Sequence, residues 1–70
     1  MDAALLRYFM RKHGDKQSDL AEALELSDAS LSSRMTGKVD FRRSEINVIR
    51  IRYDLTADDL CQIFFSEPIA

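Results

Sequence analysis

Apolar side chains recur along the chain every three or four residues, in five stretches separated by short polar or glycine-containing connections. The first stretch ends near Gly14 and the third near Gly37, since glycine readily adopts the backbone conformation that ends a helix. No stretch has the alternating pattern of a strand. The sequence therefore predicts five helices, whose apolar residues are Leu5, Leu6, Phe9 and Met10; Leu20, Ala21 and Leu24; Leu31 and Met35; Ile46, Val48, Ile49, Ile51 and Tyr53; and Leu60, Ile63 and Phe64.

Two of these helices have recognisable N-terminal caps. Ser27 precedes the third helix, where its hydroxyl can accept a hydrogen bond from the backbone N–H of Ala29 or Ser30. Thr56 and Asp59 have the spacing of a capping box before the fifth helix, with Asp in place of Glu. We therefore expect the third helix to follow its cap Ser27 and to run to Met35 or Thr36, the fourth to run from about Arg43 to Tyr53, and the fifth to follow its cap Thr56.

The connection between the second and third helices consists only of Glu25, Leu26 and Ser27. Two helices joined by three or four residues at a steep angle form a helix-turn-helix, which leaves the second of them projecting. A projecting helix fits the major groove of DNA, while the segments beside it contact phosphates. We therefore predict such a motif over about residues 17–36.

The length and composition limit the function. Seventy residues, of which 46 % are hydrophobic and 31 % charged, fit one small globular domain over residues 1–70, with a short tail at 66–70. No apolar run reaches the roughly 18 residues of a membrane span and no secretory signal is evident, so we expect a cytoplasmic protein without membrane contact. One cysteine and one histidine supply neither a disulfide nor a metal site nor a catalytic constellation. We expect no enzyme, metal, cofactor or small-molecule ligand.

The charge is unevenly distributed, although the net charge is only −2. Residues 1–16 carry a net +2, residues 17–33 carry −4, residues 34–52 carry +4 and the remainder carries −4. The most basic segment begins at the end of the predicted projecting helix and includes the loop that follows it. Because DNA phosphates attract clustered cations, this arrangement favours a nucleic-acid partner despite the acidic isoelectric point near 5.2.

A set of short segments carries a family resemblance: Gln17-Ser18-Asp19-Leu20-Ala21, Leu26-Ser27, Ser30-Leu31-Ser32, Thr36-Gly37-Lys38, Phe41, Ser44-Glu45-Ile46, Ile49, Leu55-Thr56 and Ile63-Phe64-Phe65. In these segments the chain resembles the Xre-type family, which includes the lambdoid phage repressor and Cro proteins. The resemblance implies a compact, all-α five-helix bundle that binds double-stranded DNA sequence-specifically, as a dimer on a palindromic operator, and regulates transcription. A small Cro-like or repressor-like regulator from a phage, prophage or bacterium fits this length. The resemblance covers about residues 5–65.

The chain departs from the family pattern at two helix ends and at two polar positions. Glu25 and Asp54 stand where the family commonly has glycine, because both helix ends favour a left-handed residue. A side chain there costs about 1 kcal/mol. Lys16 replaces a small hydroxyl residue and Thr36 replaces Asn, and both can still donate hydrogen bonds to phosphates.

The third helix supplies the predicted base contacts. Asp28 could accept a hydrogen bond from a cytosine amine, and Ala29 could pack on a thymine methyl group. Alternatively, Asp28 only interacts with the positive end of the helix dipole. Ser32 and Ser33 can donate or accept, and therefore discriminate poorly between bases without help from water or DNA shape.

The predicted phosphate contacts lie on both sides of that helix. Lys16 and Gln17 are carried over from the family at the start of the second helix, with plain surface exposure as the alternative for Gln17. The others occupy the end of the third helix, the loop and the start of the fourth helix, and Lys38 is the main candidate among them. The alternative for the surface arginines is that they only keep the protein soluble. These other candidates are Arg34, Thr36, Lys38, Arg42 and Arg43.

The C-terminal end suggests an interface between two copies. Residues 63–69 have more apolar surface than a five-helix monomer easily covers, so Phe65 and Ile69 are predicted to face a second protomer. The alternative is that the tail folds on its own domain. Cys61 is expected to be a buried or half-buried thiol.

Two other functions fit the same sequence. One is a protein-interaction module that no longer binds DNA. It would suit the acidic isoelectric point and the third helix, which is rich in serine and begins with an acidic residue. A DNA-binding antitoxin would need a further segment that contacts its toxin.

Overall fold

The computed structural model describes residues 1–65, and most of them are helical. The prediction of five helices is confirmed, and no strand occurs among the described residues. The third helix has the predicted bounds, and the first ends two residues before Gly14. The helices are α1 (Ala3–Lys12), α2 (Gln17–Ala23), α3 (Asp28–Met35), α4 (Arg43–Arg52) and α5 (Ala57–Phe64).

Side chains next to the helix termini satisfy backbone N–H groups that have no partner inside the helix. Ser27 Oγ accepts from Ser30 N at 3.1 Å, which confirms the predicted cap and selects Ser30 over Ala29. Thr56 Oγ1 accepts from Asp59 N at 3.1 Å while the Asp59 carboxylate accepts from Thr56 N at 3.0 Å, so the predicted capping box is confirmed. Asp2 caps α1 in the same way by accepting from Leu5 N.

The connections after α2 and α4 turn through residues with positive φ. Glu25 has φ 58° and Asp54 has φ 51°, the two positions where the family resemblance implies glycine. Gly14 and Gly37 adopt φ 75° and 85° after α1 and α3. All four helix ends thus use the left-handed conformation, twice without glycine.

The core takes one fully buried aliphatic side chain from each helix. α2 and α3 pack closely on each other, as do α1 and α5, and Phe41 meets Phe64 edge to face with ring centroids 5.4 Å apart. The radius of gyration is 11.3 Å, close to the roughly 11 Å of a compact chain of this length. The five central side chains are Leu6, Leu20, Leu31, Ile49 and Ile63.

Three predictions about burial are wrong. Val48 and Ile51 do not extend the buried face of α4 but are exposed, at 38 % and 66 % of their surface, because Ile49 and Tyr53 fill that side of the core. Cys61 is exposed as well, since it lies two residues before the buried Ile63 and therefore on the opposite side of α5. Within residues 1–65 no helix is long and apolar enough to cross a membrane.

Candidate nucleic-acid interface

The outer side of α3 carries small polar side chains open to solvent. Asp28, Ala29 and Ser32 are exposed, whereas Ser33 is half-buried. Leu31 and Met35 occupy the opposite side and are buried. The predicted base-contacting residues therefore lie on the accessible part of α3, with Ser33 at its edge.

The loop after α3 is held by one carbonyl oxygen. Ser33 O accepts hydrogen bonds from Thr36 Oγ1 at 3.2 Å, from Lys38 N at 3.0 Å and from Val39 N at 3.2 Å. Gly37, with positive φ, makes the reversal that brings these donors back to α3. The Lys38 backbone is consequently fixed to the end of α3, while its side chain remains exposed.

Arg34 occupies a different place from the one predicted. It is only 8 % exposed, and its Nε donates to Glu45 Oε1 at 2.9 Å while its Nη1 donates to the Ser30 carbonyl at 3.2 Å. The sequence predicts a phosphate contact, but the guanidinium is used inside the protein, where Glu45 at 7 % exposure balances its charge. Arg34 therefore positions α3 rather than offering a free cation.

One carboxylate oxygen of Glu45, on α4, connects that helix to α3 and to the backbone that precedes α4. Its Oε1 accepts both from Arg34 Nε on α3 and from Arg42 N at 2.8 Å, which precedes α4. The second bond is a helix cap from the third helical position, where Glu is the typical residue. The sequence contained that capping signal, but nothing in it indicated that Arg34, eleven residues earlier, shares the carboxylate.

Three free cations remain near this link. Lys38, Arg42 and Arg43 are exposed, and none of them forms an ion pair within residues 1–65. The Arg34–Glu45 contact and the hydrogen bonds to the Ser33 carbonyl hold the backbone between α3 and α4. The backbone that carries these three side chains is therefore fixed in position. Together they form a basic segment that runs from the loop after α3 to the first residue of α4.

The start of α2 brings two further predicted residues to the surface. Lys16 is exposed and Gln17 is half-buried. The Asp19 carboxylate accepts from Lys16 N at 2.8 Å, which fixes the backbone where the helix begins. α2 packs on α3, so these side chains belong to the same helix pair as the exposed α3 residues.

An ion pair that the sequence did not reveal fixes the α1–α2 connection to the end of α4. Both Asp15 oxygens accept from Arg52, at 2.6 and 3.0 Å, and Oδ2 also accepts from Tyr53 Oη at 2.7 Å. The bonds from Arg52 and then Tyr53 lower the pKa of Asp15. The hydrogen bond to Asp15 raises the pKa of Arg52. The pKa of Tyr53 is also raised, first by burial and then by its own hydrogen bond to Asp15. The His13 ring lies tilted at 48° to the Tyr53 ring, with ring centroids 5.3 Å apart.

The predicted interface between copies is only partly described. Phe65 is 64 % exposed and, with Phe41, Ile46 and Phe64, lines a groove of about 460 Å³ that also includes Arg34. Ile69 lies outside the described residues. The groove and the exposed α3 side chains are therefore both accessible to solvent.

Comparison with protein-family models, with curated protein sequences and with solved structures finds no match to the chain. Within residues 1–65, no three His, Cys, Asp or Glu side chains group closely enough to hold a metal ion.

Proposed function

We propose that this chain is a sequence-specific DNA-binding regulator of transcription, resembling the Cro and repressor proteins, in which α2 and α3 form a helix-turn-helix. In this proposal α3 enters the major groove of double-stranded DNA, in the cytoplasm, with no enzymatic step. The helix pair, the four-residue connection over residues 24–27 with its left-handed Glu25, and the cap by Ser27 all support it.

One observation carries the proposal. An exposed row of small side chains on α3 is followed directly by Lys38, Arg42 and Arg43, cations without an ion-pair partner among the described residues. Small side chains allow the helix to come close to the base edges, and unpaired cations beside it suit the phosphates that border the groove.

The roles of the individual residues follow from their exposure. Asp28, Ala29, Ser32 and Ser33 are the proposed base contacts. The proposed phosphate contacts are Lys16, Gln17, Lys38, Arg42 and Arg43. Two predicted contacts are omitted, Arg34 because Glu45 engages it and Thr36 because its hydroxyl already donates to the Ser33 carbonyl.

Two copies would bind together on an operator of two-fold symmetry. The exposed ring of Phe65 and the groove beside it, which Phe41, Ile46 and Phe64 line in part, support a homodimer, because a symmetric contact would cover both. Two α3 helices about 34 Å apart would then read half-sites one DNA turn apart.

Selection from a pool of random duplexes tests this function. The protein is mixed with the pool at moderate salt, bound DNA is amplified through several rounds, and the survivors are sequenced. An enriched motif with two half-sites about 10 base pairs apart is the expected result. Absence of enrichment, together with no binding at low salt, would refute DNA recognition.

A second candidate function is a protein-interaction module, and the exposure of Asp28 favours it. A carboxylate in the first turn of α3 would be repelled by phosphates, whereas it suits a basic protein surface. A salt titration distinguishes the two functions, because DNA affinity falls steeply as salt rises. The antitoxin alternative gains no support from the described residues.

A further inference from the structure

A second concave surface lies away from the groove beside Phe65. It is a hollow of about 190 Å³ between the later part of α1 and the start of α2. Arg7 and Arg11 lie one helical turn apart on α1 and therefore stand side by side at its edge. The lining residues are Arg7, Met10, Arg11, Asp15, Lys16 and Gln17.

The charge in the hollow is mainly positive. Arg7, Arg11 and Lys16 are exposed, and within residues 1–65 no carboxylate forms an ion pair with any of them. The one carboxylate of the lining, Asp15, is already engaged through both oxygens by Arg52. Three cations thus face the hollow without a counter-charge, although like charges placed together normally repel.

The chemistry of the lining suits a phosphate group. Guanidinium groups present paired N–H donors that match two phosphate oxygens, and an ammonium adds a further charge-assisted bond. The half-buried Gln17 brings an uncharged amide donor to the same hollow.

We propose that this hollow is a phosphate-binding site, in which Arg7 and Arg11 join Lys16 and Gln17 on a phosphate of the DNA backbone. The inference rests on the proposed function and adds α1 to the DNA-binding surface. The hollow precedes the α2–α3 pair along the chain, whereas Lys38, Arg42 and Arg43 follow it. Cations on both sides of the pair would hold the duplex at two places while α3 lies in the groove.

Two double variants of equal net charge test the hollow. R7Q/R11Q removes both arginines of the lining, whereas K12Q/R50Q removes two exposed cations outside it. Affinity for one duplex is measured at several salt concentrations for the wild type and both variants. Each lost phosphate contact should lower the slope of log affinity against log salt by about 0.9, which corresponds to roughly tenfold in affinity near 0.1 M salt. Because Arg7 and Arg11 share one phosphate in this proposal, R7Q/R11Q is expected to lose about one unit of slope, and K12Q/R50Q almost none.

Equal slopes and affinities for the two variants would overturn the inference, since the hollow would then contribute only general charge. Circular dichroism of both variants shows whether each is folded, and Arg7→Lys and Arg11→Lys versions that retain charge should keep most of the slope.

A measurement without DNA separates failure of the site from failure of the proposed function. Inorganic pyrophosphate is titrated into the wild type and R7Q/R11Q while the backbone amides of Lys16 and Gln17 are followed by NMR. Saturable shifts in the wild type alone support the site. If these shifts occur but the wild type binds no duplex, the proposed function fails, and the hollow binds the phosphate group of a ligand other than DNA. If the wild type shows no such shifts and the variants bind duplex equally, the site itself is refuted.

Discussion

Glu25 and Asp54 are residues held in a backbone conformation that suits glycine. An L side chain in the left-handed region costs about 1–2 kcal/mol, while glycine loses about 0.5–1 kcal/mol more in conformational entropy on folding. Glu25→Gly should therefore raise the free energy of unfolding by about 0.5–1 kcal/mol. Asp54→Gly should raise it less, because aspartate tolerates this conformation better than glutamate. Urea unfolding followed by circular dichroism measures both.

Glu22→Gly is the matched control for these substitutions. Glu22 is exposed within α2, where glycine should lower the free energy of unfolding by about 1 kcal/mol. A loss of stability in Glu25→Gly as large as that in the control would contradict the assignment of strain to the left-handed residue.

Asp15 predicts how stability depends on pH. Its pKa is lower in the folded protein than in the unfolded chain, because Arg52 and then Tyr53 donate hydrogen bonds to the carboxylate. The ionised form therefore stabilises the fold at neutral pH, and this contribution is lost as the pH falls below about 4, through the folded pKa. Asp15→Asn should be less stable than the wild type at pH 6, and the difference should shrink towards pH 3.

Chemical unfolding at pH 3 and pH 6 measures the effect. Asp40→Asn serves as the control, because Asp40 is exposed and has no ion pair among the described residues. If the stability deficit of Asp15→Asn were the same at both pH values, the contact with Arg52 would contribute nothing through charge.

At the scale of the elements, Arg34 and Glu45 join α3 to α4. Removing one member of a nearly buried pair leaves the other charge unbalanced, which typically costs about 3–5 kcal/mol. Glu45→Ala should cost more than Arg34→Met, because it also removes the acceptor for Arg42 N. The double variant Arg34→Met with Glu45→Ala should recover part of the loss, since no unpaired charge remains.

A double-mutant cycle measures the link between these helices. The cycle compares the unfolding free energies of the wild type, both single variants and the double variant. Additive losses would mean that the two side chains do not interact. If a single variant does not fold, Glu45→Gln retains an acceptor oxygen without the charge and gives a milder substitute.

The elements themselves could be predicted from the sequence because their signals are local. Apolar spacing located all five helices, and Ser27 and Thr56 marked two helix starts through groups only three residues away. The Arg34–Glu45 and Asp15–Arg52 contacts join separate elements, 11 and 37 residues apart, and no local pattern reports such pairs. The same limit explains Val48 and Ile51, since spacing alone does not reveal how wide a face the core can cover.

For the whole molecule, the distribution of charge matters more than its sum. The chain carries −2, yet Lys38, Arg42 and Arg43 are all exposed in the short stretch from the loop after α3 to the first residue of α4. The acidic side chains near them in the sequence are partly engaged. Glu45, for example, is held by Arg34 and caps Arg42 N. A net negative protein can thus present a locally basic surface, which is what the proposed binding of DNA requires.

Lys38→Ala tests that surface. The ammonium of Lys38 is exposed, while its backbone N–H is bonded to Ser33 O, so truncation should remove a charge and leave the loop in place. Loss of one phosphate contact should weaken binding to all duplex sequences alike and reduce the salt slope by about one unit. Arg50→Ala is the control, because Arg50 is exposed on α4 and bonded only to Asn47 within the described residues. Fluorescence anisotropy with two unrelated duplexes at four salt concentrations measures both variants. A slope for Lys38→Ala equal to that of the wild type would remove Lys38 from the interface, and a loss confined to one duplex would mean that it contacts a base instead.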